Sequence, residues 1–375
     1  MKHEGLPNVP NPSEPPCVSM RQDRVRPRNA NACSRIQALS AIALACATLL
    51  AAQDKPHIQS LSHAIHAVDD LDTTLAFYKD VFGLPGTPSD FANPAVPLLT
   101  NAPGVTLRLS MLSLPGRMRF ELTHFKGLER KPARAQYTDP GAASIVFYVR
   151  DIDAIVAAAK KANAQFITAG SAPVEITTAK GKTRSVILRD PDGFFVQLVQ
   201  EAPAAGAPPA GAMDANVHRV SLAYTMESAE ATAKFYTGQF GIPLSAPTAF
   251  SKDPAMLKLY GAPAGAEFRK ISGTLPGPPA DIEFTEFRGM PRTKFHLRVR
   301  DPGAPALCIQ VTDETAMVAQ LKAAGTNILS TNGEIVDFGG GTHTIFVEDP
   351  NGMNLEVFER PAAPQGKGQG KGQTK

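Results

Sequence analysis

The chain has 375 residues, of which 43 % are hydrophobic and 19 % are charged, with a formal net charge of +3 at pH 7. These values are typical of a globular protein with two to three domains. The small net charge, with no basic cluster on any predicted element of the folded part, argues against nucleic acid as the main partner.

Residues 1–52 have the pattern of an export signal. Residues 1–35 lack apolar periodicity and are expected to be disordered, and five arginines between positions 21 and 35 precede the apolar run Ile36–Ala52. A basic stretch followed by a short apolar core and small residues matches a secretory signal peptide. The run is short for a spanning helix, which needs about 20 apolar residues, so an uncleaved signal anchor is the alternative. We therefore expect a periplasmic or secreted protein with no other membrane association.

Beyond that signal the chain contains a single cysteine, Cys308, in the apolar stretch Leu307–Ile309. One cysteine cannot form an internal disulfide, and its neighbours predict a small core residue. Residues 361–375 are rich in Gly and contain no large apolar side chain, which predicts a disordered tail.

The rest of the chain contains one unit twice. Short motifs recur in the same order at an offset near 160 residues: Phe82–Pro85 and Phe240–Pro243, Phe120–Thr123 and Ile282–Thr285, Asp190–Gly193 and Asp349–Gly352. Ordered repeats at constant spacing indicate a duplication. We predict a first domain over residues 57–200 and a second over residues 217–360. Residues 201–216, rich in Pro, Ala and Gly, are the predicted linker.

Each copy divides again into two similar modules. The first module has a predicted strand, a helix with an apolar stripe and two further strands: His63–Val68, Leu71–Phe82, Val105–Leu112 and Arg119–Phe125. The second has the same plan: Ser144–Val149, Asp151–Ala162, Arg184–Leu188 and Phe194–Val199. Helices at 228–240 and 314–324 mark the third and fourth. The prediction is an α+β fold of four βαβββ modules, with mixed sheets and helices on one face.

Three segments carry a family resemblance. The segment His63–Leu84 resembles the opening of a vicinal oxygen chelate module, Phe120–His124 resembles the close of its first module, and Asp349–Glu356 the close of its second. That superfamily contains glyoxalase I, the extradiol dioxygenases and the bleomycin-resistance proteins. The resemblance implies two tandem glyoxalase-like domains, in which paired modules form a cup that holds a divalent metal.

The resemblance also implies which positions face the metal. In module order they are His63 and Glu121, Ser144 and Gln197, Ser221 and Glu283, and Ala306 and Glu356. We predict metal ligation by His63, Glu121, Glu356 and Gln197, with Glu121 and Glu356 as catalytic proton carriers. The metal would be Zn²⁺, Ni²⁺, Mn²⁺ or Fe²⁺. Strand alternation supports His63, which shares a face with Ile65, whereas His66 falls on the helix-facing side and is expected to be a buried, hydrogen-bonded core residue.

Two module pairings are possible. Pairing of neighbours would gather His63, Glu121 and Gln197. Crossed pairing of modules one with four and two with three would gather His63, Glu121 and Glu356, open at Ala306, and would leave a degenerate second cup with Ser144, Gln197, Ser221 and Glu283. We favour crossed pairing because it leaves one complete site.

The function predicted from these positions is a metal-dependent lyase or isomerase acting on a small oxygen-bearing substrate. A dioxygenase is less expected, because its usual site has two histidines. The alternatives are a ligand-sequestering protein without chemistry, as in bleomycin resistance, and a purely structural role. His124, His343, Arg108 and Arg269 are secondary candidates that we expect to be surface or supporting residues. Duplication within one chain makes a monomer the expected state.

Overall fold

The computed structural model describes residues 57–361, apart from residue 133, residues 179–180, residues 203–214 and residue 279. The predicted signal peptide, the predicted tail after residue 361 and most of the predicted linker lie outside these residues. None of the helices within the described part of the chain is long and apolar enough to cross a bilayer.

The first copy follows the predicted plan with short additions. Module one comprises β1 Ile58–Ala67, α1 Leu71–Phe82, β2 Ser89–Phe91, α2 Val96–Leu99, β3 Thr106–Ser113 and β4 Arg119–Lys126. A 3₁₀ turn, Pro115–Arg117, joins β3 to β4. Module two comprises β5 Ala143–Val149, α3 Ile152–Lys161, β6 Gln165–Phe166, β7 Val174–Thr178, β8 Gly181–Arg189 and β9 Phe195–Glu201.

The second copy repeats this order. Module three comprises β10 Val217–Met226, α4 Ala229–Phe240, α5 Pro254–Leu259, β11 Glu267–Leu275 and β12 Ala280–Arg288. Module four comprises β13 Pro305–Val311, α6 Glu314–Ala323, β14 Asn327–Ile328, β15 Val336–Gly339, β16 Thr342–Glu348 and β17 Asn354–Glu359, with a 3₁₀ turn at Thr331–Gly333.

The helices begin where the capping residues of the sequence place them. The Asp70 carboxylate accepts a hydrogen bond from the Thr73 backbone N–H at the start of α1, and Gly83 ends α1 with φ 69°. An N-terminal side-chain acceptor satisfies one free backbone donor, and glycine tolerates the left-handed conformation at a helix end. The same capping bond begins the main helix of each remaining module, from Asp151, Ser228 and Asp313.

The strands form two sheets, each built from both copies. Sheet A has the order β14-β16-β17-β13-β1-β4-β3-β2, with β15 beside β16. Sheet B has the order β11-β12-β10-β5-β9-β8-β6, with β7 beside β8. Antiparallel pairs at the centre, β1 with β13 and β10 with β5, join the modules. Modules one and four therefore share sheet A, modules two and three share sheet B, and the predicted crossed pairing is confirmed.

Each sheet buries both of its faces. One large apolar cluster contains helix residues and the helix-facing residues of both sheets, including Tyr78, Phe147, Tyr236 and Leu355. The opposite face of sheet A carries a separate apolar cluster, and so does the opposite face of sheet B. We call these faces cup A and cup B. Because neighbouring strand residues alternate between the faces, β5 and β13 are apolar along most of their length, whereas β1 and β10 also carry polar residues.

Candidate metal centre

Strand β1 turns His63 toward cup A. Ala64 and Val68 belong to the helix-side cluster, whereas Ile65 and Ala67 belong to the cluster that lines cup A. Since side chains alternate along a strand, His63 shares the cup face with Ile65, as predicted. A register irregularity between Leu61 and His63 lies just before this regular stretch.

Strand register brings four potential ligands into one patch. In the antiparallel pair β1–β13, His63 lies opposite Cys308, and in the parallel pair β13–β17, Cys308 lies beside Glu356. On the other side of β1, Ile65 pairs with Glu121 of β4. The first and last strands of the described chain thus supply neighbouring side chains, which explains how residues almost 300 positions apart in sequence meet.

The distances within this patch are short enough for one ion. His63, Cys308 and Glu356 each offer a ligand atom, and these atoms lie within 4.8 Å of one another. His63 Nε2 also lies 3.3 Å from Glu121 Oε2, with the two side chains 10 % and 16 % exposed. We call these four residues the cup A cluster.

Neighbouring hydroxyl groups fix the orientation of the cluster. His63 Nδ1 lies 3.1 Å from Ser62 Oγ, which leaves Nε2 directed at the carboxylate of Glu121. The Thr123 hydroxyl donates to Glu121 Oε1 over 2.5 Å, and the Thr344 hydroxyl donates to Glu356 Oε1 over 3.1 Å. Metal ligands in proteins are commonly oriented by this kind of outer hydrogen bond.

The electrostatics of the cluster favour an added cation. Burial raises the pKa of the Glu356 carboxyl; the nearby Glu121 carboxylate adds to this, and His63 offsets only part of it. Burial and the proximity of Glu356 raise the pKa of the Cys308 thiol well above its usual range. Burial alone would also raise the pKa of Glu121, but contact with His63 and Thr123 lowers it below its ordinary value. A divalent ion would stabilise the charged forms of all three groups.

The remaining predicted ligand, Gln197, is not part of this cluster. It lies on β9 in sheet B, where its Nε2 donates to Ser185 Oγ over 3.1 Å. Ser221 and Val146 pair with each other on neighbouring strands, and Val146 pairs with Gln197. The structure therefore brings His63, Glu121 and Glu356 together and places Gln197 in cup B.

Cup A is also less open beside Ala306 than the sequence predicts. Ala306 lies opposite Ile65 and is 1 % exposed, while the position opposite His63 is Cys308. Cys308 is buried, as expected of a core residue, but it faces the ligands as well as the apolar cluster. The sequence could not reveal this, because the offset between β1 and β13 is a property of their pairing.

His66 is a buried core histidine, as predicted. It is fully buried, and its Nε2 lies 2.7 Å from Asp190 Oδ2. The group His66, Asp190 and Asp192 also satisfies the spacing of a metal site. However, the two carboxylates already accept hydrogen bonds from hydroxyls and backbone N–H groups, donated by Tyr78, Thr74, Asp69, Asp192 and Phe194. We call this group the His66 clasp, because it ties β1 of sheet A to the β8–β9 turn of sheet B.

Two of the secondary candidates, Arg108 and Arg269, form ion pairs. Arg108 forms a bidentate pair with exposed Asp72, at 2.7 and 3.0 Å. Arg269 contacts Glu230 and Glu286. His343 is exposed on β16. These positions act on the surface or between strands, away from the cup A cluster.

Comparison with known proteins agrees with this architecture. A family model described as the Glyoxalase/Bleomycin resistance protein/Dioxygenase superfamily matches residues 60–198 and again residues 218–357. A virulence protein of Salmonella typhimurium is 26 % identical over 144 residues, which are 38 % of this chain and 85 % of that protein. The crystal structure of glyoxalase I from Zea mays superposes with a TM-score of 0.52 at 18 % identity, over 81 % of this chain and 93 % of that one. At this identity the maize structure shows the shared fold.

Proposed function

Since this chain belongs to the Glyoxalase/Bleomycin resistance protein/Dioxygenase superfamily, we propose that it is a divalent-metal-dependent enzyme of the lyase or isomerase type. Its substrate would be a small oxygen-bearing molecule bound in cup A. The observation that carries this proposal is the His63, Glu121 and Glu356 arrangement, with two carboxylates gathered around one imidazole.

The donor set suits Zn²⁺, Ni²⁺, Fe²⁺ or Mn²⁺. His63, Glu121 and Glu356 would hold the ion, and a bound ion of this kind polarises a substrate carbonyl or hydroxyl group. The apolar side chains around the cluster, among them Ile65, Ala306 and Phe346, limit the access of water to the substrate. The site is therefore suited to a small, largely uncharged substrate held by its oxygen atoms.

The two glutamates differ before any metal is bound. Contact with His63 keeps the pKa of Glu121 low, whereas burial raises the pKa of Glu356. A bound divalent ion would favour the charged form of both carboxyl groups. A carboxylate beside the reacting atoms can carry a proton, so one of these two glutamates would take that role.

One observation favours a second candidate function. Ala306 and Ile65 pair across β1 and β13. The centre of the cup is therefore apolar at positions that could have carried a further imidazole ligand. A protein of this kind could sequester a ligand without chemistry. Metal binding without turnover of any small carbonyl or hydroxyl compound would favour that function over catalysis.

The test is the metal content of the purified protein, with matched substitutions in the two cups. His63→Ala should lose the metal, because it removes the imidazole ligand. Ser221→Ala, at the equivalent position of cup B, should keep a full complement. Equal metal content in both variants would contradict the proposal, and so would wild-type protein that binds no metal after loading with each of the four ions.

We also propose export through the signal in residues 1–52, on the basis of its charge and apolar pattern. Fractionation of cells expressing the full chain should place the shortened protein outside the cytoplasm. Full-length protein in the cytoplasm would contradict it.

A further inference from the structure

We propose that Cys308 is a ligand of the same metal, its thiolate completing a His63, Cys308, Glu121 and Glu356 site. This inference rests on the proposed metal site and adds to it a sulfur donor, which decides the class of metal. It follows from three observations on β13 and its neighbours.

The first observation is position. Cys308 lies in the middle of β13, directly opposite His63 on one side and beside Glu356 on the other. The pairing of β1 with β13 is regular from His63 onward and the pairing of β13 with β17 is regular throughout, so the three side chains project from the same face of sheet A. Cys308 therefore lies between two of the predicted ligands.

The second observation is distance. The Cys308 Sγ, one imidazole nitrogen of His63 and one carboxylate oxygen of Glu356 all lie within 4.8 Å of one another. A metal ion with bonds of about 2.0 to 2.3 Å to nitrogen, oxygen and sulfur can contact all three after small side-chain movements. Any ion held by His63 and Glu356 would thus lie close to the sulfur.

The third observation is the equivalent position in cup B. There Val146 pairs with Ser221 and with Gln197, as Cys308 pairs with His63 and with Glu356. In cup B the neighbours of Val146 are a serine and a glutamine, and the side chain of Val146 is a hydrocarbon without a ligand atom. The thiol is found in the cup that holds the imidazole and the pair of carboxylates. A buried valine occupies the equivalent position of cup B, so the strand framework does not itself require a thiol there.

The chemistry balances without a further reactant. When the ion enters, the S–H bond of Cys308 breaks, the sulfur lone pair forms the bond to the metal, and the proton leaves to the buffer. No electron is transferred, so no oxidant is required. Thiolate ligands favour Zn²⁺, Fe²⁺ and Ni²⁺ over Mn²⁺, which prefers oxygen donors. The site should therefore discriminate against Mn²⁺.

The test uses the full chain freed of metal and loaded with Co²⁺. Cobalt gives ligand-field bands in the visible range when a protein binds it, and a sulfur-to-cobalt charge-transfer band in the near ultraviolet only when a thiolate is bound. We expect both sets of bands in the wild type and in a Cys17→Ser, Cys33→Ser, Cys46→Ser variant. Cys308→Ser should lose the charge-transfer band and keep weaker ligand-field bands.

The affinity of Cys308→Ser for Zn²⁺ should fall more than its affinity for Mn²⁺. Outer-shell substitutions weaken metal binding roughly 10–100-fold. Because Cys308→Ser removes a direct ligand, we expect its Zn²⁺ affinity to fall by at least this factor. Val146→Ala serves as the matched control in cup B and should change neither affinity.

X-ray absorption of the Zn²⁺-loaded wild type keeps the test independent of how the variants fold. A sulfur scatterer at about 2.3 Å supports the inference. Bound metal with only nitrogen and oxygen neighbours overturns it and leaves the proposed function intact. Failure of the wild type to bind Co²⁺, Zn²⁺, Ni²⁺ or Fe²⁺ overturns the inference, and failure to bind Mn²⁺ as well overturns the proposed function too.

Discussion

Cup A and cup B have the same strand framework and different side chains at equivalent positions. His63 of cup A corresponds to Ser221 of cup B, Cys308 to Val146, and Glu356 to Gln197. Glu121 corresponds to Glu283, since they pair with the equivalent residues Ile65 and Ala223. Three of the four proposed ligand positions therefore differ between the cups, while the strand pairing is the same.

At the fourth position of cup B, the charge of the Glu283 carboxylate is neutralised by the side chain of Lys270. Lys270 of β11 pairs with Thr285, as Leu109 of β3 pairs with the equivalent Thr123. The Lys270 ammonium lies 2.7 Å from Glu283 Oε1. Burial alone would lower the pKa of Lys270, but Glu283 and Tyr260 raise it, so it stays charged. The lysine supplies in cup B the positive charge that a metal would supply in cup A.

The fold and the candidate metal site are therefore specified by different residues. Apolar residues on both faces of the strands keep both sheets folded, whereas the cups differ at a few cup-facing positions, which we propose determine cation binding. Each of the following predictions exchanges or removes one such difference.

The largest effect is expected from making cup A resemble cup B. Leu109→Lys should place an ammonium next to Glu121, and Glu356→Gln should remove one carboxylate. Each change should weaken metal binding at least about 10–100-fold, because it removes a negative ligand or adds a competing charge. Calorimetric titration with Zn²⁺ measures the loss.

The matched control for Glu356→Gln is Glu283→Gln in cup B. Its metal affinity should equal that of the wild type. If Glu283→Gln weakened binding as much as Glu356→Gln, the assignment of the metal to cup A would be wrong.

A second effect concerns the His66 clasp, whose counterpart in the second copy has one titratable carboxyl group, Asp349, and no histidine. There Tyr224 replaces His66 and Asn351 replaces Asp192, and the Tyr236 hydroxyl donates to Asp349 Oδ2 over 3.0 Å. In the first copy, burial and the proximity of Asp190 raise the pKa of Asp192 to about 6. The pKa of His66 is also raised, since Asp190 and Asp192 outweigh its burial.

Both shifts mean that the folded protein binds more protons than the unfolded chain between pH 4 and pH 7. The free energy of unfolding should therefore fall as the pH rises through this range, by on the order of 1–3 kcal/mol. His66→Tyr combined with Asp192→Asn, which copies the second clasp, should remove this part of the pH dependence. Denaturant unfolding from pH 4 to pH 8 measures it; an identical slope in wild type and variant would refute the account of the clasp.

The smallest effect is expected at the ion pair of cup B. Lys270→Met should destabilise the protein by about 1 kcal/mol, a modest loss because the Lys270 and Glu283 side chains are 24 % and 41 % exposed. Adding Glu283→Gln should restore most of the stability, since it removes the unpaired carboxylate. Thermal unfolding of the single and double variants tests this, and equal stability of the two would show that the pair does not interact.

Much of the fold could be predicted from the sequence. The helix Leu71–Phe82 has the predicted bounds because its apolar stripe, its Asp70 cap and its terminal Gly83 are all local signals. The duplication was visible as recurring motifs, and the alternation in β1 correctly separated His63 from His66. The short elements β2 and α2 were missed, because each is too brief to show a period.

Which residues share a cup depends on the pairing of strands that are far apart in the chain. The sequence gives no direct signal of that pairing. Crossed pairing was inferred from the number of surviving ligands rather than from any geometric signal. The apolar neighbours of Cys308 predict only a core position, because its approach to His63 depends on the register of β13 against β1. Likewise, nothing in the stretch around Lys270 indicates that its ammonium contacts Glu283 on the neighbouring strand β12.

The most direct measurement of the central claim is anomalous diffraction from crystals of the Zn²⁺-loaded protein. The account predicts one strong peak per chain, between His63, Cys308, Glu121 and Glu356, and none beside Gln197 and Glu283. A peak in cup B, a peak at the His66 clasp instead of cup A, or full loading without density in cup A would contradict it.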